Sequence, residues 1–314
     1  MGTMHANCYK NMEGVEIVAL ADVRREKAEK LNKGINAKIY ADGKDLIKDS
    51  GADVIDICLP TYLHAEYAIA AMDNVRYLFV EKPVALNGEQ ADSIMKKARE
   101  TGCNVQIGQV IRFWDEYSEL KKMLDGGKYG RVVNANFRRI SPRPTWGWND
   151  WLLNAELSGG AGLDMHIHDV DFVLSLFGEP KDFYTVKNVI GEKDSYINTL
   201  MRYEDKAVTV ESTWDLPSEH AFEATFRVVT EKAAIENAGG KFVLYADGKK
   251  EDIVIDKKQI SGEGFKGGNI SDLGGYYNEL LYFTDRAVRG EKIEKATLSD
   301  AVNSLKFVLK ELAF

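Results

Sequence analysis

Three side chains that could move a proton while a hydride leaves a carbon atom stand out in this sequence. Lys82 lies in Glu81-Lys82-Pro83, directly after a buried strand pattern. Asp164 and His168 are four residues apart, a spacing that puts both on one face of a helix. A neutral histidine is a suitable base near physiological pH, and an adjacent carboxylate can orient and tune it. The set predicts proton transfer at a substrate hydroxyl.

Asp171 continues the same helical stripe, three residues after His168. The alternative for the stripe is an ion-paired helix surface, and for Asp171 we favour that alternative or a structural role in holding His168. His166 and His168, two residues apart, point to different faces of a helix and would chelate a metal ion poorly. We therefore predict no metal site.

The elements that must position Lys82 alternate between strand and helix. Strands are predicted at 15–21, 39–40, 54–59, 77–80 and 105–107, and helices at 24–33, 45–48, 63–72 and 88–100. Nearly continuous apolar strands separated by helices are typical of a doubly wound parallel sheet that is covered on both faces. The carboxyl ends of such strands are where ligands bind.

After Gly108 the pattern changes to longer strands, several of which alternate apolar and polar side chains. They are predicted at 132–140, 183–189, 196–203, 207–214, 221–229, 233–237 and 241–245, with helices at 115–124, 276–289 and 299–312. Such alternation indicates an antiparallel sheet with one covered face. We predict an α/β domain at 1–108 followed by an α+β domain at 109–314.

Asp22 ends the first predicted strand and follows Gly2 by the interval that separates the glycine turn from the ribose-binding acid in dinucleotide domains. A carboxylate there repels a 2′-phosphate, which favours NAD over NADP. Arg24 softens that preference, so NADP stays possible. The alternative for Asp22 is a helix cap, and one residue can serve both roles.

The glycine fingerprint of a dinucleotide domain is incomplete in this chain. Met1-Gly2-Thr3-Met4-His5 looks like the end of Gly-x-Gly-x-x-Gly. We expect residues 3–12 to form the first helix, with its N-terminus aimed at the pyrophosphate. We also expect that the first strand and the earlier glycines were lost by truncation; an ordinary leader helix at 1–14 is the alternative.

Composition excludes several classes of protein. A formal net charge of −8 argues against nucleic-acid binding, which needs a basic surface. Three cysteines without a Cys-x-x-Cys pair favour a reduced intracellular chain over a disulfide or zinc framework. The sequence has neither a long apolar run nor a signal-peptide pattern, so we expect a cytoplasmic protein without membrane contact.

Taken in order, the motifs resemble the glucose–fructose oxidoreductase/inositol dehydrogenase/rhizopine catabolism (Gfo/Idh/MocA) family, and the wording around Asp164 is similar to its inositol dehydrogenase branch. The matching motifs are Gly2-x-x-His5, Asp22, Pro60-Thr61-x-x-His64, Glu81-Lys82-Pro83, Arg112-Phe113 and Asp164-x-x-x-His168-x-x-Asp171. The resemblance implies that residues 1–108 are a Rossmann-like, dinucleotide-binding domain. It implies that residues 109–314 are a domain for substrate binding and oligomerisation, whose open-faced sheet forms homodimers or homotetramers. It also implies NAD as cofactor and a sugar, inositol or related polyol as substrate.

The resemblance also implies roles for individual residues. His168 would be the general acid/base, Asp164 would orient or assist it, and Lys82 would bind and polarise the same hydroxyl oxygen. The cofactor would be held by Gly2, Met4, Asp22, Arg24, Leu59, Pro60, Thr61, His64, Glu81 and Gln109. The substrate would be bound by Lys82, Arg112, Trp151, Asp164, His166 and His168, and Trp146 and Trp148 could line the same site.

The sequence thus predicts an NAD(P)-dependent dehydrogenase that oxidises a secondary hydroxyl of a sugar or cyclic polyol. Two alternatives stay open. One is net non-redox chemistry, in which a tightly held NAD assists glycoside cleavage or dehydration. The other is a non-catalytic sugar-binding or scaffold protein, which the incomplete fingerprint makes plausible and the intact Lys82, Asp164 and His168 argue against.

Overall fold

A computed structural model describes residues 1–190, 193–255 and 273–313. Within those ranges the chain forms two compact units, one of residues 1–110 and 273–302 and the other of residues 111–255 and 303–313. The sequence analysis placed one boundary after residue 108 and assigned everything beyond it to the second domain. The structure instead returns residues 273–302 to the first unit.

The first unit begins with alternating helices and strands, as predicted. They are α1 (Gly2–Tyr9), β1 (Ala19–Ala21), α2 (Arg25–Leu31), β2 (Lys38–Tyr40), α3 (Gly43–Asp49), β3 (Val54–Ile57), α4 (Thr61–Ala71), β4 (Tyr77–Glu81), α5 (Gly88–Thr101) and β5 (Asn104–Gly108). All strand pairs are parallel, in the orders β1-β2 and β3-β4-β5. In the described residues no ladder joins these two groups.

The first predicted strand is shorter in the structure than in the sequence analysis. The apolar run 15–21 predicted seven strand residues, but only Ala19–Ala21 pair, with Lys38–Tyr40. A strand extends only as far as its partner supplies backbone groups, and β2 offers three residues. Val18, just before β1, is 41% exposed.

The second unit is built on one large sheet. Its elements are a 3₁₀ turn (Val110–Phe113, whose first residue belongs to the first unit), α6 (Asp115–Asp125), β6 (Val132–Pro142), a 3₁₀ turn (Trp148–Asp150), α7 (Ala155–Ser158), a π-helix (Gly162–His166), α8 (Ile167–Phe177), β7 (Asp182–Ile190), β8 (Lys193–Arg202), β9 (Ala207–Leu216), β10 (Glu223–Thr230), β11 (Ala233–Ala238), β12 (Lys241–Ala246) and β13 (Lys249–Asp252). The strand order is β13-β12-β11-β10-β6-β9-β8-β7, antiparallel except for β6–β9. The predicted fold class is confirmed in both domains.

One face of this sheet is covered and the other is open. The π-helix packs against β8 and β9, and α8 packs against β6. Between helix and sheet lies an aromatic core in which the rings of Tyr117, Phe137, Phe172 and Phe226 meet largely edge to face. On the open side Tyr184, Val186 and Leu200 are 71%, 45% and 45% exposed. The catalytic-type residues of the second unit therefore lie on the covered side.

Two further helices follow the described part of the sheet domain, α9 (Gly274–Arg289) and α10 (Leu298–Leu312). Helix α9 packs against α1 in the first unit, where Thr284 Oγ1 lies 3.7 Å from the sulfur of Met12. The backbone N–H of Ile107 on β5 donates to the carbonyl of Ala296 at 3.0 Å. These contacts explain why residues 273–302 belong with the parallel strands.

Candidate active site

The carboxylate predicted to bind ribose follows β1 directly. Asp22 Oδ1 accepts a hydrogen bond from the backbone N–H of Arg24 at 2.8 Å, and Arg24 Nε lies 3.5 Å from the same oxygen. About a third of each side chain is exposed. The backbone bond forms a local turn before α2 and leaves Oδ2 for other donors. The helix cap considered as the alternative role of Asp22 is not seen, because Arg24 is the residue at the N-cap of α2 and no side chain caps that end among the described residues. The predicted contact with a cofactor stays a prediction.

Gly2 begins α1, which confirms a first helix in the predicted region. Among the described residues no side chain caps this helix end, and the N–H groups of Met4 and His5 donate to the carbonyl of Met1, so the N–H groups of Gly2 and Thr3 are the ones that can bind an anion. A Cβ atom built on Gly2 would lie 3.7 Å from Cys58 Cβ, which puts the helix start beside the carboxyl end of β3. Met4 is 1% exposed and packs in the core, so any part it takes in cofactor binding passes through its backbone.

His5, the last residue of the incomplete fingerprint, lies in a buried cluster of ionisable groups. Its Nδ1 is 2.7 Å from Asp56 Oδ2 and its Nε2 is 3.0 Å from Glu81 Oε1. Tyr9 and Cys58 also contact Asp56, at 2.9 and 3.4 Å. Burial alone would lower the pKa of His5, but the Asp56 carboxylate and the Cys58 thiol outweigh it and raise that pKa well above its usual value.

The same cluster contacts the backbone of Lys82. Glu81 ends β4, and its Oε2 accepts a hydrogen bond from the backbone N–H of Lys82 at 3.2 Å. The Lys82–Pro83 peptide bond is cis. Lys82 therefore follows a carboxylate that is bound on its other side by His5. The side chain of Lys82 is partly exposed, in a stretch whose neighbours are buried.

His64 connects two strand ends through their carbonyl groups. Its Nδ1 lies 2.7 Å from the oxygen of Pro83, and its Nε2 lies 2.8 Å from the oxygen of Leu59. Burial lowers the pKa of His64, against the raising effect of these two hydrogen bonds. With 1% of its surface exposed, His64 supports the loops after β3 and β4 rather than offering its own ring to a cofactor.

The remaining predicted cofactor residues lie on the same strand ends. Leu59 and Pro60 are partly exposed, and Thr61 begins α4 with 3% of its surface exposed. Gln109 follows β5 and is fully buried. Among the described residues its amide nitrogen and oxygen have no hydrogen-bond partner, which a ligand carboxamide could supply.

In the second unit, Asp164 and His168 occupy the π-helix and the first turn of α8. Across residues 161–173 these two are the only side chains that are not buried. Single-turn π-helices are rare and frequently occur at functional sites. The glycines before Asp164 allow close packing: a Cβ atom on Gly162 would lie 2.6 Å from Leu312 Cδ1. The predicted shared face of Asp164 and His168 is consistent with their common exposure.

Two residues predicted to bind substrate have other partners in this unit. Arg112 forms two bonds with the buried Asp171, from Nε to Oδ2 at 2.6 Å and from Nη2 to Oδ1 at 2.8 Å. His166 is fully buried, with Nδ1 3.0 Å from Ser212 Oγ and Nε2 3.4 Å from Glu311 Oε2. These contacts favour support of the helix over direct contact with substrate.

The tryptophans of the predicted sugar site differ in exposure. Trp146 and Trp148 are 43% and 41% exposed. Trp151 instead packs against a buried cluster that includes Met165, the neighbour of Asp164. Trp151 thus packs its loop against the π-helix but is only partly buried, so the predicted contact of all three rings with substrate stays a prediction.

Sequence reasoning missed the buried partners of these residues. Arg139, Glu279, Ser304 and Glu311 are all buried. They lie 30 or more positions from the residues they contact, as with Arg139 and Asp169 or Ser304 and Asp171. No spacing rule within one element links them. An arginine or glutamate inside an otherwise apolar strand or helix pattern was the one available signal.

Comparison with known proteins agrees with this architecture. Residues 1–109 match the family described as "Oxidoreductase family, NAD-binding Rossmann fold", and residues 117–236 match the GFO/IDH/MocA C-terminal domain. A levoglucosan dehydrogenase solved with NADH and levoglucosan has a TM-score of 0.84 at 17% identity, covering 100% of this chain and 94% of that one. At that identity the likeness shows the fold alone.

Curated relatives carry names from two kinds of chemistry. The scyllo-inositol 2-dehydrogenase (NAD(+)) of Bacillus subtilis is 30% identical over 184 residues, 57% of this chain and 51% of that protein. The 2,7-anhydro-N-acetylneuraminate hydratase of Mediterraneibacter gnavus is 25% identical over 271 residues, 80% of this chain and 68% of that protein. The chain spans about half the length of the inositol dehydrogenases that it matches. With both domains matched in order, the chain belongs to the Gfo/Idh/MocA family of NAD-binding oxidoreductases, as its motifs predicted.

Proposed function

We propose that this chain is an NAD-dependent dehydrogenase that oxidises a secondary hydroxyl of a sugar or cyclic polyol. The observation that carries the proposal is the exposure of Asp164 and His168 alone within an otherwise buried helical segment. An ionisable pair that reaches solvent from a packed helical segment is accessible to a substrate, whereas the carboxylates of Asp169 and Asp171 on α8 are fully buried. Family membership adds a cofactor that accepts hydride.

Each residue then has a distinct task. His168 accepts the hydroxyl proton, Asp164 orients or assists the imidazole, and Lys82 binds and polarises the same oxygen. NAD, when bound, supplies the hydride acceptor. The proposal requires Lys82 to meet Asp164 and His168 around one alcohol. Positioned acid–base groups of this kind typically contribute about 100- to 10,000-fold to a rate.

The first unit would hold the cofactor. Asp22 would bind ribose hydroxyls and disfavour a 2′-phosphate, with Arg24 beside it. The start of α1 at Gly2 would face the pyrophosphate. Gln109 would satisfy its buried amide on the cofactor. His64 and Glu81 would act through the backbone of the loops that they support.

We also propose that the chain assembles through the open face of its large sheet. The exposed Tyr184, Val186 and Leu200 lie on adjacent strands β7 and β8 and form an apolar area there. Covering such an area favours a homodimer or homotetramer over a monomer. Nothing in the net charge suggests a nucleic-acid partner, and no helix among the described residues has the length and apolar character needed to cross a membrane.

A second candidate function is net non-redox chemistry on a sugar. It is favoured by the likeness to a protein named as a hydratase, which extends over 80% of this chain. The same acid–base pair would then serve addition or removal of water. Retention of NAD through purification, without net reduction, would support this alternative.

The deciding experiment follows reduced nicotinamide by absorbance while the chain is offered NAD and a panel of inositols and sugars. We expect turnover with at least one polyol, and a decrease of about 100-fold or more in His168→Ala. His220→Ala is the matched control, because His220 lies on the surface beside Glu223. Equal activity in the wild type and His168→Ala would overturn the proposal, and so would failure of every polyol.

A further inference from the structure

Two buried ion pairs hold the helix that carries His168. On one side, Arg139 of β6 contacts Asp169 through Nε–Oδ2 at 2.7 Å and Nη2–Oδ1 at 3.3 Å. On the other, Arg112 contacts Asp171 at 2.6 and 2.8 Å, and Ser304 of α10 donates to Asp171 Oδ1 at 2.8 Å. Both carboxylates are fully buried. Each guanidinium group therefore holds α8 through two hydrogen bonds to one carboxylate.

The positions of the two carboxylates around α8 determine which movements of the helix the ion pairs restrain. An α-helix turns by about 100° per residue, so Asp169 and Asp171 project about 200° apart around the axis. His168 lies on the shorter arc between them, about 100° from Asp169 and about 60° from Asp171. Paired hydrogen bonds of this kind on two sides of a helix resist its rotation about the axis. The two ion pairs also resist movement of α8 along its axis. Arg139 lies on β6 and Arg112 lies in the 3₁₀ turn Val110–Phe113, so the helix is held from two separate elements.

Stability alone is a weak reason for such pairs. Removing two charges from water costs much of what their attraction returns, and well-packed apolar residues of similar size often serve as well or better. Aromatic rings already surround Arg139, with Trp114 and Phe222 centred 5.4 and 5.8 Å from its guanidinium carbon. Apolar side chains could fill the space of the Arg139–Asp169 pair, but they would lack the directional hydrogen bonds that fix the orientation of α8.

We propose that Arg112 and Arg139 are positioning residues for the reaction, which fix the rotation and height of α8 and thereby the place of the His168 imidazole. This inference rests on the proposed function. The imidazole of a helical histidine lies about 6 Å from the helix axis, so a rotation of about 10° moves it by about 1 Å. A displacement of about 1 Å can lower a rate by about 100-fold. Arg112 then serves catalysis through Asp171 instead of binding substrate.

The test separates position from stability at the Arg139–Asp169 pair. Arg139→Met strands a buried carboxylate and should lower the unfolding temperature. Arg139→Met with Asp169→Leu removes both charges and should recover most of that loss. We expect the double variant to keep KM within about threefold and yet to lose about 10- to 100-fold in kcat. Arg131→Met is the matched control, because Arg131 precedes β6, is 70% exposed and pairs with Glu231 at 2.7 Å on the surface.

A second readout does not depend on turnover. The chain has five histidines, so the imidazole resonances can be followed by NMR after histidine labelling, with His168→Gln assigning its own signal. We expect the His168 resonance and its titration midpoint to change in the double variant and to stay unchanged in Arg131→Met. If the wild type turns over no polyol, the proposed function fails, but this comparison still decides whether the ion pair positions His168.

Wild-type kcat and an unchanged His168 titration in a stable double variant would overturn the inference. If the double variant fails to fold, Arg139→Lys replaces it, because lysine keeps the charge and loses the planar fork. A folded Arg139→Lys protein with the same kcat and His168 signal as the wild type would equally overturn it. A lower kcat with an altered His168 signal would support it.

Discussion

The two units, which supply the two halves of the proposed site, hold their key residues by different chemistry. Around Lys82 the supports are imidazoles: His5 binds Glu81, and His64 binds the carbonyl of Pro83. Around His168 the closest charged supports are the guanidinium groups of Arg112 and Arg139. Imidazole changes charge near neutral pH, whereas guanidinium stays charged throughout the range in which proteins fold. The comparison teaches that above neutral pH the imidazole supports of the first half can change charge, whereas the Arg–Asp pairs of the second half stay charged.

The supporting cluster in the first unit makes this difference concrete. Burial raises the pKa of Glu279 well above its usual value, and the neighbouring Glu81 carboxylate adds to the shift. Burial also raises the pKa of Cys58 to about 12. The carboxyl groups of Asp56, Glu81 and Glu279, a histidine with a raised pKa and a protonated thiol thus share a small space beside the loop of Lys82. The folded state of the first unit therefore binds protons that the unfolded chain has released.

The largest expected effect tests whether the two halves act on one substrate. Lys82→Met should lower kcat/KM by about 100- to 1000-fold, as removal of a charge-stabilising donor does. Lys97→Met is the control, since Lys97 pairs with Asp73 on the surface at 2.6 Å. Combined with His168→Ala, Lys82→Met should add little, because residues that serve one transition state are strongly non-additive. Losses that multiply would mean that the two groups act separately.

Most of the fold followed from the sequence, and the reasons are local. The strand patterns at 54–59 and 77–80 predicted β3 and β4 because buried parallel strands are continuously apolar. Strand β13 (Lys249–Asp252) was missed, because four exposed charged residues carry no apolar alternation and pair only through their backbone with β12. The return of α9 to the first unit was missed because an amphipathic pattern predicts a helix without naming its partner.

Of the candidate site, the sequence predicted the partly exposed residues but not the buried residues that support them. Asp164 and His168 were found because helical spacing relates neighbours in one element. The supports of α8 were not, because pairs such as Arg112 with Asp171 depend on contacts between distant segments. His166 illustrates the same limit: its position in the motif suggested substrate, and its burial against Ser212 and Glu311 became visible only with the strands and α10 in place.

A smaller effect is expected from the close approach that shapes the π-helix. Gly162→Ala places a methyl group against Leu312, which should cost about 1–3 kcal/mol of unfolding free energy and lower kcat through Asp164. Gly88→Ala is the control, since no atom lies within 4 Å of a Cβ there. Urea unfolding measures the unfolding free energy of both variants, and steady-state kinetics measures their kcat. The double variant Gly162→Ala with Leu312→Ala should lose less unfolding free energy than the sum of the losses in the two single variants. A loss equal to that sum would show that the contact between residues 162 and 312 is unimportant.

The smallest effect compares the pH response of the two supports. The pKa of His5 is raised in the folded state, so its contribution to stability is complete below about pH 6.5 and is lost as pH rises through the folded value. One proton corresponds to a slope of about −1.4 kcal/mol per pH unit in the unfolding free energy. The groups that face His5 are Asp56 of β3, Cys58 directly after β3, Tyr9 of α1, Glu81 of β4 and Glu279 of α9.

Glu279 acts with the same sign, because its pKa is also raised, so its contribution begins to fall at about pH 4.5. Tyr9 and Cys58 have raised pKa values too, but they affect stability only at alkaline pH. Urea unfolding between pH 6.5 and about pH 8.5 should therefore show a negative slope that His5→Gln reduces and Glu279→Gln reduces separately. His220→Gln, a surface substitution, should leave the slope unchanged. A wild-type slope in both His5→Gln and Glu279→Gln would show that the imidazole-supported half is no more sensitive to pH than the guanidinium-supported half.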